Sequence, residues 1–166
     1  MQEEKILKQE GRLYSQALNL ALGYLSRRSR TEYEIAVRLS QRGYEWEVTA
    51  RVMDCLRERG LVNDLEYGIR YAGSRFSSSP RGRYALAREL KQRGINEQII
   101  ESCLEKISPE AEYGAAFALA CKIRERKGEG YSLANIAFAL KSRGFAGNVV
   151  YSVCRSLEDS EIADKS

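Results

Sequence analysis

The sequence predicts an all-α protein built as three tandem three-helix repeats that form an elongated, curved helical array. Three observations predict it. The segment Leu39-Ser-Gln-Arg-Gly43-Tyr44 recurs as Leu90-Lys-Gln-Arg-Gly94-Ile95 and Leu140-Lys-Ser-Arg-Gly144-Phe145, at intervals of 51 and 50 residues. Four residues before each leucine stands an aliphatic (Ile35, Leu86, Ile136) and three before it an alanine (Ala36, Ala87, Ala137), offsets that share one helical face. No stretch sustains strand alternation or carries an Asn-Gly hairpin turn. Units of this length have small cores and lean on their neighbours, which favours a curved stack.

In the first repeat, Ala17, Leu18, Ala21, Leu22 and Leu25 mark the opening helix, and Thr31 with Glu34 reads as a capping box that starts the second. Val48, Val52, Met53 and Leu56 mark the third, which reads one turn longer than its counterparts. In the second repeat Asp64 reads as the N-cap of a helix carrying Tyr67, Ile69, Tyr71 and Ala72. Ser79-Pro80 reads as cap plus first-position proline for the next helix, and Asn96 as the cap before Ile99, Ile100, Cys103 and Leu104. In the third, Ser108-Pro109 opens a helix with Ala116, Phe117, Leu119, Ala120 and Ile123, and Val149, Val150, Val153 and Cys154 mark the last helix. The recurrent segment closes each middle helix: glycine at C′ takes a positive φ, and the next apolar residue folds back on the leucine. The boundaries expected are an N-terminal tail or helix extension over 1–12, repeats over 13–62, 63–107 and 108–158, and a C-terminal tail over 159–166.

Composition narrows the function. There is no histidine, and the four cysteines (Cys55, Cys103, Cys121, Cys154) form no Cys-x-x-Cys pair, so a metal centre is not expected. Each cysteine sits among apolar neighbours and reads as a small core residue. No phosphate-loop, nucleophile-elbow or dinucleotide fingerprint occurs. The acidic pairs Glu32/Glu34, Glu45/Glu47 and Glu110/Glu112 read as solvated helix starts beside positive dipole ends. The apolar run at 115–121 is far too short to cross a bilayer. No enzyme, cofactor or membrane association is expected.

Charge points to a polyanionic or acidic partner. Nineteen of the 27 basic residues are arginine, and residues 70–93 hold Arg70, Arg75, Arg81, Arg83, Arg88, Lys91 and Arg93 against Glu89 alone. The stretch 75–83, with its serines, Pro80, Gly82 and three arginines, reads as a loop offering arginine forks and backbone amides to phosphate or an acidic surface, or as a plain connector. Arg27, Arg28 and Arg30 form a second basic turn between the first two helices, with the alternative that they only complement a negative helix end. Arg42, Arg93 and Arg143 precede the stop glycines and read mainly as partners of negative helix ends. Tyr24, Tyr33, Tyr67, Tyr71 and Tyr84 read as rings packed between helices, with base stacking as the alternative, and Trp46 reads as packing.

The run Leu61-Val-Asn-Asp64-Leu-Glu-Tyr67, then Arg75, Gly82 four residues before Leu86, Glu89-Leu90 and Gly94-Ile95 resembles the central signature of the RecX regulatory proteins. The resemblance extends over about 17–157. It departs at Asn63, where a second aspartate is frequent, and at Gly68, where alanine is typical; glycine there should weaken its helix by about 1 kcal/mol. The resemblance implies a cytoplasmic, monomeric, non-catalytic regulator of recombination, DNA repair and the SOS response. It would bind the RecA–DNA filament along its groove and damp strand exchange, ATP hydrolysis and co-protease activity. Candidate contacts to RecA or to DNA phosphates within the filament are Arg27, Arg28, Arg30, Arg70, Arg75, Arg81, Arg83, Arg88 and Arg93. The alternative is a free-standing DNA-binding protein with a basic helical surface.

Overall fold

The computed structural model describes residues 1–128 and 131–163, and for residues 2, 3, 5, 6, 77 and 161–163 the backbone alone. Among the described residues it contains nine helices and no strand: α1 (Gln2–Leu25), α2 (Glu32–Ser40), α3 (Trp46–Glu58), α4 (Asp64–Ser78), α5 (Arg83–Gln92), α6 (Glu97–Glu105), α7 (Pro109–Lys127), α8 (Leu133–Ser142) and α9 (Gly147–Ala163). They fall three to a repeat, as the periodicity predicts. Helix α3 exceeds α6 by one turn, with 13 residues against nine, while α9 is longer than both.

Each recurrent segment ends its helix as expected. Gly43, Gly94 and Gly144 have φ of +82°, +76° and +80°, in the left-handed region that costs other residues about 1–2 kcal/mol. Tyr44 N–H donates to Leu39 C=O at 3.2 Å and Gly43 N–H to Ser40 C=O at 2.9 Å. Phe145 and Gly144 repeat the pair on Leu140 and Lys141 at 3.3 and 2.9 Å. A fourth turn of this design closes α3 at Gly60, where Leu61 N–H donates to Leu56 C=O at 2.9 Å. Its spacing of leucine, glycine and apolar residue equals that of the other three, so the signal was present in the sequence.

Two helix starts differ from expectation. The cap of α4 is Asn63, whose Oδ1 accepts from Glu66 N–H at 3.0 Å; the Asp64 carboxylate turns away and binds the Glu32 amide at 2.9 Å. Ser79-Pro80 does not open α5. It closes α4, where Ser79 N–H still bonds Arg75 C=O at 3.1 Å and Pro80 has no N–H to continue the ladder. Arg75 therefore lies on a helix, and the supposed loop shrinks to residues 79–82. Ser108 does cap α7, accepting from Ala111 N–H at 3.1 Å with Pro109 at the first position.

The chain forms two compact units, and the middle repeat contributes to both. One comprises Met1–Tyr67 and Gln92–Asn96. In it α1, α2 and α3 pack around Ala17, Ala21, Ile35, Leu39, Val52 and Leu56. The other comprises Gly68–Lys91 and Glu97–Ser166. Here α7, α8 and α9 enclose Ala116, Ala120, Ile136, Leu140, Val153 and Leu157, and Ala72, Leu86 and Ile107 form a smaller cluster. Gly68 is buried in this unit, and a Cβ there would collide with Cys103 Sγ. The glycine that departs from the signature makes room for a buried thiol, which the expected loss of helix propensity does not capture.

Candidate functional site

Within the second unit, Glu89 gathers the basic side chains around it. The Tyr71 hydroxyl donates to Glu89 Oε2 at 2.6 Å, and Arg75 Nε donates to the same oxygen at 3.0 Å. Arg75 Nη2 also donates to the Tyr71 hydroxyl at 2.8 Å. Arg81 Nε lies 3.3 Å from Glu89 Oε1, close enough for charge attraction but out of line, so this N–H has no hydrogen-bond acceptor. Burial pushes the Glu89 carboxyl up, yet the Tyr71 hydroxyl and the Arg75 and Arg81 charges outweigh it and hold it below the usual carboxylate range. Two of the predicted contacts thus form part of an internal polar network.

Arg83, at the first position of α5, is more deeply engaged. Its amide donates to Glu112 Oε1 at 3.0 Å and its Nε to Glu112 Oε2 at 2.6 Å. Nη2 and Nη1 donate to the carbonyls of Ile107 and Leu104 at 2.6 and 3.3 Å. Glu112 is buried, with its side chain 3% exposed, so it is not the solvated helix start expected. Beside it, Gly82 N–H donates to Arg143 C=O at 3.0 Å and Tyr84 N–H to Gly144 C=O at 3.1 Å. The amides of Gly82, Arg83 and Tyr84 at the start of α5 all have protein acceptors, so this turn does not offer them to a phosphate. A Cβ at Gly82 would collide with the Gly144 carbonyl, which requires glycine there.

The first unit contains the same interlock one repeat earlier. The Thr31 hydroxyl accepts from Glu34 N–H at 3.2 Å and donates to Arg93 C=O at 2.7 Å. Asp64 takes the Glu32 amide as Glu112 takes that of Arg83. Arg93 Nη1 pairs with Glu34 at 3.2 Å, and its guanidinium lies 5.9 Å from the Tyr67 ring centre. In both places a carboxylate from the next repeat's opening helix caps a middle helix, and that repeat's stop-turn carbonyl is bound by the residue just before the capped helix. Arg93 and Arg83 are seam residues of this device.

The remaining predicted contacts reach the surface to different degrees. Arg27, Arg28, Arg70 and Arg88 are exposed; Arg30 is half-buried, with its guanidinium 4.0 Å from the Tyr24 ring centre. Lys91 pairs with Glu97 at 2.6 Å on the surface. Arg38, which the sequence reading passed over, lies on the same Tyr24 ring at 5.8 Å. Among the aromatics, Tyr24, Tyr67 and Tyr71 are partly buried, but Tyr33, Tyr84 and Trp46 are exposed, Trp46 at 73%. Trp46 is not a packing residue: it opens α3 on the side away from the core, where the hydrophobic pattern alone gives no direction. Cys103 is buried, the other three cysteines are half-buried, and all are free thiols. Among the described residues no cluster of acids and cysteines could hold a metal ion, and no helix is long and apolar enough to cross a membrane.

Comparison with known proteins gives consistent matches. The model of the first three-helix domain of RecX matches residues 17–56, and that of the second matches residues 63–104. The regulatory protein RecX of Mycolicibacterium smegmatis is 39% identical over 97 residues, covering 58% of this chain and 52% of that protein. That of Mycobacterium ulcerans is 38% identical over 113 residues, covering 68% and 65%. The matched stretch therefore spans between about half and two thirds of these relatives' length. The crystal structure of RecX from Lactobacillus salivarius superposes with a TM-score of 0.83 at 22% identity, over 89% of this chain and 98% of that one. A second crystal structure of a regulatory protein RecX gives 0.81 at 24% identity, over 92% and 77%. These two likenesses establish the fold.

Proposed function

We propose, from the premise that this chain belongs to the RecX family, that it is a non-catalytic regulator that binds the RecA–DNA filament and restrains strand exchange, ATP hydrolysis and co-protease activity. A cytoplasmic location goes with that partner. One observation carries the choice of contacts. Arg75, Arg81, Arg83 and Arg93 are held by Glu89, Glu112 and Glu34, whereas Arg27, Arg28 and Arg88 extend into solvent. The exposed set is the grip, able to meet acidic protein surface and DNA phosphates, and the internal set holds the scaffold that presents it.

The test is charge reversal at Arg28 and Arg88, with inhibition of RecA's DNA-dependent ATPase as the readout. A folded R28E/R88E double variant should inhibit at least tenfold less well; undiminished inhibition removes both residues from the grip. Salt separates the filament regulator from a free-standing DNA-binding protein. Binding to bare DNA falls steeply as counterions return, whereas filament recognition adds affinity that only RecA supplies, even at low salt. Equal affinity for bare strands and for the filament favours the second reading.

A further inference from the structure

We infer that a hollow in the first unit, between α1 and the end of α2, is a binding site for a nucleic-acid backbone phosphate. Its volume is about 260 Å³, and its walls include Asn19, Gly23 and Tyr24 from α1, Arg27 from the turn that follows, and Arg38 and Arg42. No carboxylate lines it. Arg30 lies against the same Tyr24 ring, 4.0 Å from its centre, and Arg38 at 5.8 Å. The Nε atoms of Arg30 and Arg38 are both buried and have no hydrogen-bond partner.

The physical case rests on compensation. Buried charged donors without acceptors are costly and are normally paired. Elsewhere in this chain Arg57, Arg75, Arg83 and Arg93 each meet a carboxylate. Among the described residues none supplies such a partner around Tyr24. The ends of α1 and α2 supply only about half a negative charge each, well short of four guanidinium groups. An anion completes the set.

Phosphate is favoured over a protein carboxylate by the number and spread of the arginines. A single carboxylate is satisfied by one guanidinium fork. Here Arg27, Arg38 and Arg42 line one hollow, with Arg30 against the Tyr24 ring that forms part of its wall and Arg28 exposed on the adjoining turn. That run suits a chain of phosphates passing over it, with one seated inside. The site deepens the filament reading, from which it takes the presence of DNA. It also gives Arg42 a role beyond that of a helix-end partner.

The test uses the full chain and labelled oligo(dT) in a salt series. An R38Q/R42Q variant should bind at least tenfold more weakly at the lowest salt, with a slope shallower by about 0.7 for each phosphate contact removed. R42Q alone, which leaves the Tyr24 stack in place, should weaken binding several-fold and so guards against misfolding of the double variant. An R126Q/K127Q control on α7 should bind as the wild type does. Unchanged affinity and slope in R38Q/R42Q, an equal loss in the control, or no oligo(dT) binding by the wild type would each overturn the site. Oligoglutamate competing as well as unlabelled oligo(dT) would overturn its assignment to phosphate. Inhibition of RecA, measured in parallel, distinguishes the two readings: its absence in the wild type sinks the filament role and leaves the oligo(dT) result standing.

Discussion

Glu112 holds Arg83 by both backbone and side chain, accepting from the amide at 3.0 Å and from Nε at 2.6 Å. The arrangement lets one buried carboxylate cap α5 and neutralise its first residue. Asp64 performs the capping half of this on Glu32 at 2.9 Å. Within each unit, helices of successive repeats are thus joined by hydrogen bonds of fixed direction.

Breaking the two halves separately should cost different amounts. Arg83→Ala leaves a carboxylate in a place only 3% exposed and should destabilise by about 3–5 kcal/mol. Glu112→Gln keeps an acceptor for the Arg83 amide and leaves a guanidinium that is 32% exposed, so about 1–2 kcal/mol is expected. Urea denaturation of the two variants checks the order; equal losses would mean that the pair acts only as a contact and not as a cap.

The stop glycines should also divide. Gly43 has open space where a Cβ would go, so Gly43→Ala costs only the left-handed backbone penalty of about 1–2 kcal/mol. A Cβ at Gly94 would collide with the Tyr33 ring, and one at Gly144 with Ala85. Gly94→Ala and Gly144→Ala should therefore lower the melting temperature further than Gly43→Ala does. A common value for all three would show that the seams yield freely.

The stop turns were legible because a positive φ after a leucine-bearing helix leaves a short, local signature, and this one recurs at a fixed interval. The seams were not, because their bonds join residues far apart: Thr31 with Arg93, Glu32 with Asp64, Arg83 with Glu112. An acid in the first turn of a helix satisfies its own dipole or a neighbouring amide equally well, so Glu110 and Glu112 look alike in sequence while only Glu112 is buried. Arg83 and Arg88 stand on one helix with the same chemistry, and packing alone sends one inward and the other to solvent. The basic character of 70–93 was read correctly, but the share of it needed to hold the fold was not.

Gly68 and Cys103 should be energetically coupled. Gly68→Ala gains about 1 kcal/mol of helix propensity but drives its methyl into Cys103 Sγ, so the single variant should be destabilised. In a Cys103→Ala background the collision is gone, and the same substitution should stabilise α4. A double-mutant cycle measures the difference; a coupling energy near zero would mean that the thiol rotates away without cost.

Glu89 and Asp64 should act on acid stability with opposite signs. Glu89 titrates below its ordinary value of 4.5, so the unfolded chain takes up the proton first. The stability it contributes is fully present above that value and is lost as pH falls through the lowered one. Burial raises Asp64 above its ordinary 3.8, more than its bond from the Glu32 amide lowers it. The native state therefore takes that proton first, and stability on this account rises as pH falls through the raised value. Urea midpoints measured from neutral pH down to about 3 should drop less steeply below 4.5 in Glu89→Gln than in the wild type. They should drop more steeply in Asp64→Asn, which keeps an oxygen for the Glu32 amide but removes the site that binds a proton more tightly when folded. Curves parallel to the wild type in both variants would show that neither carboxyl is set by these surroundings.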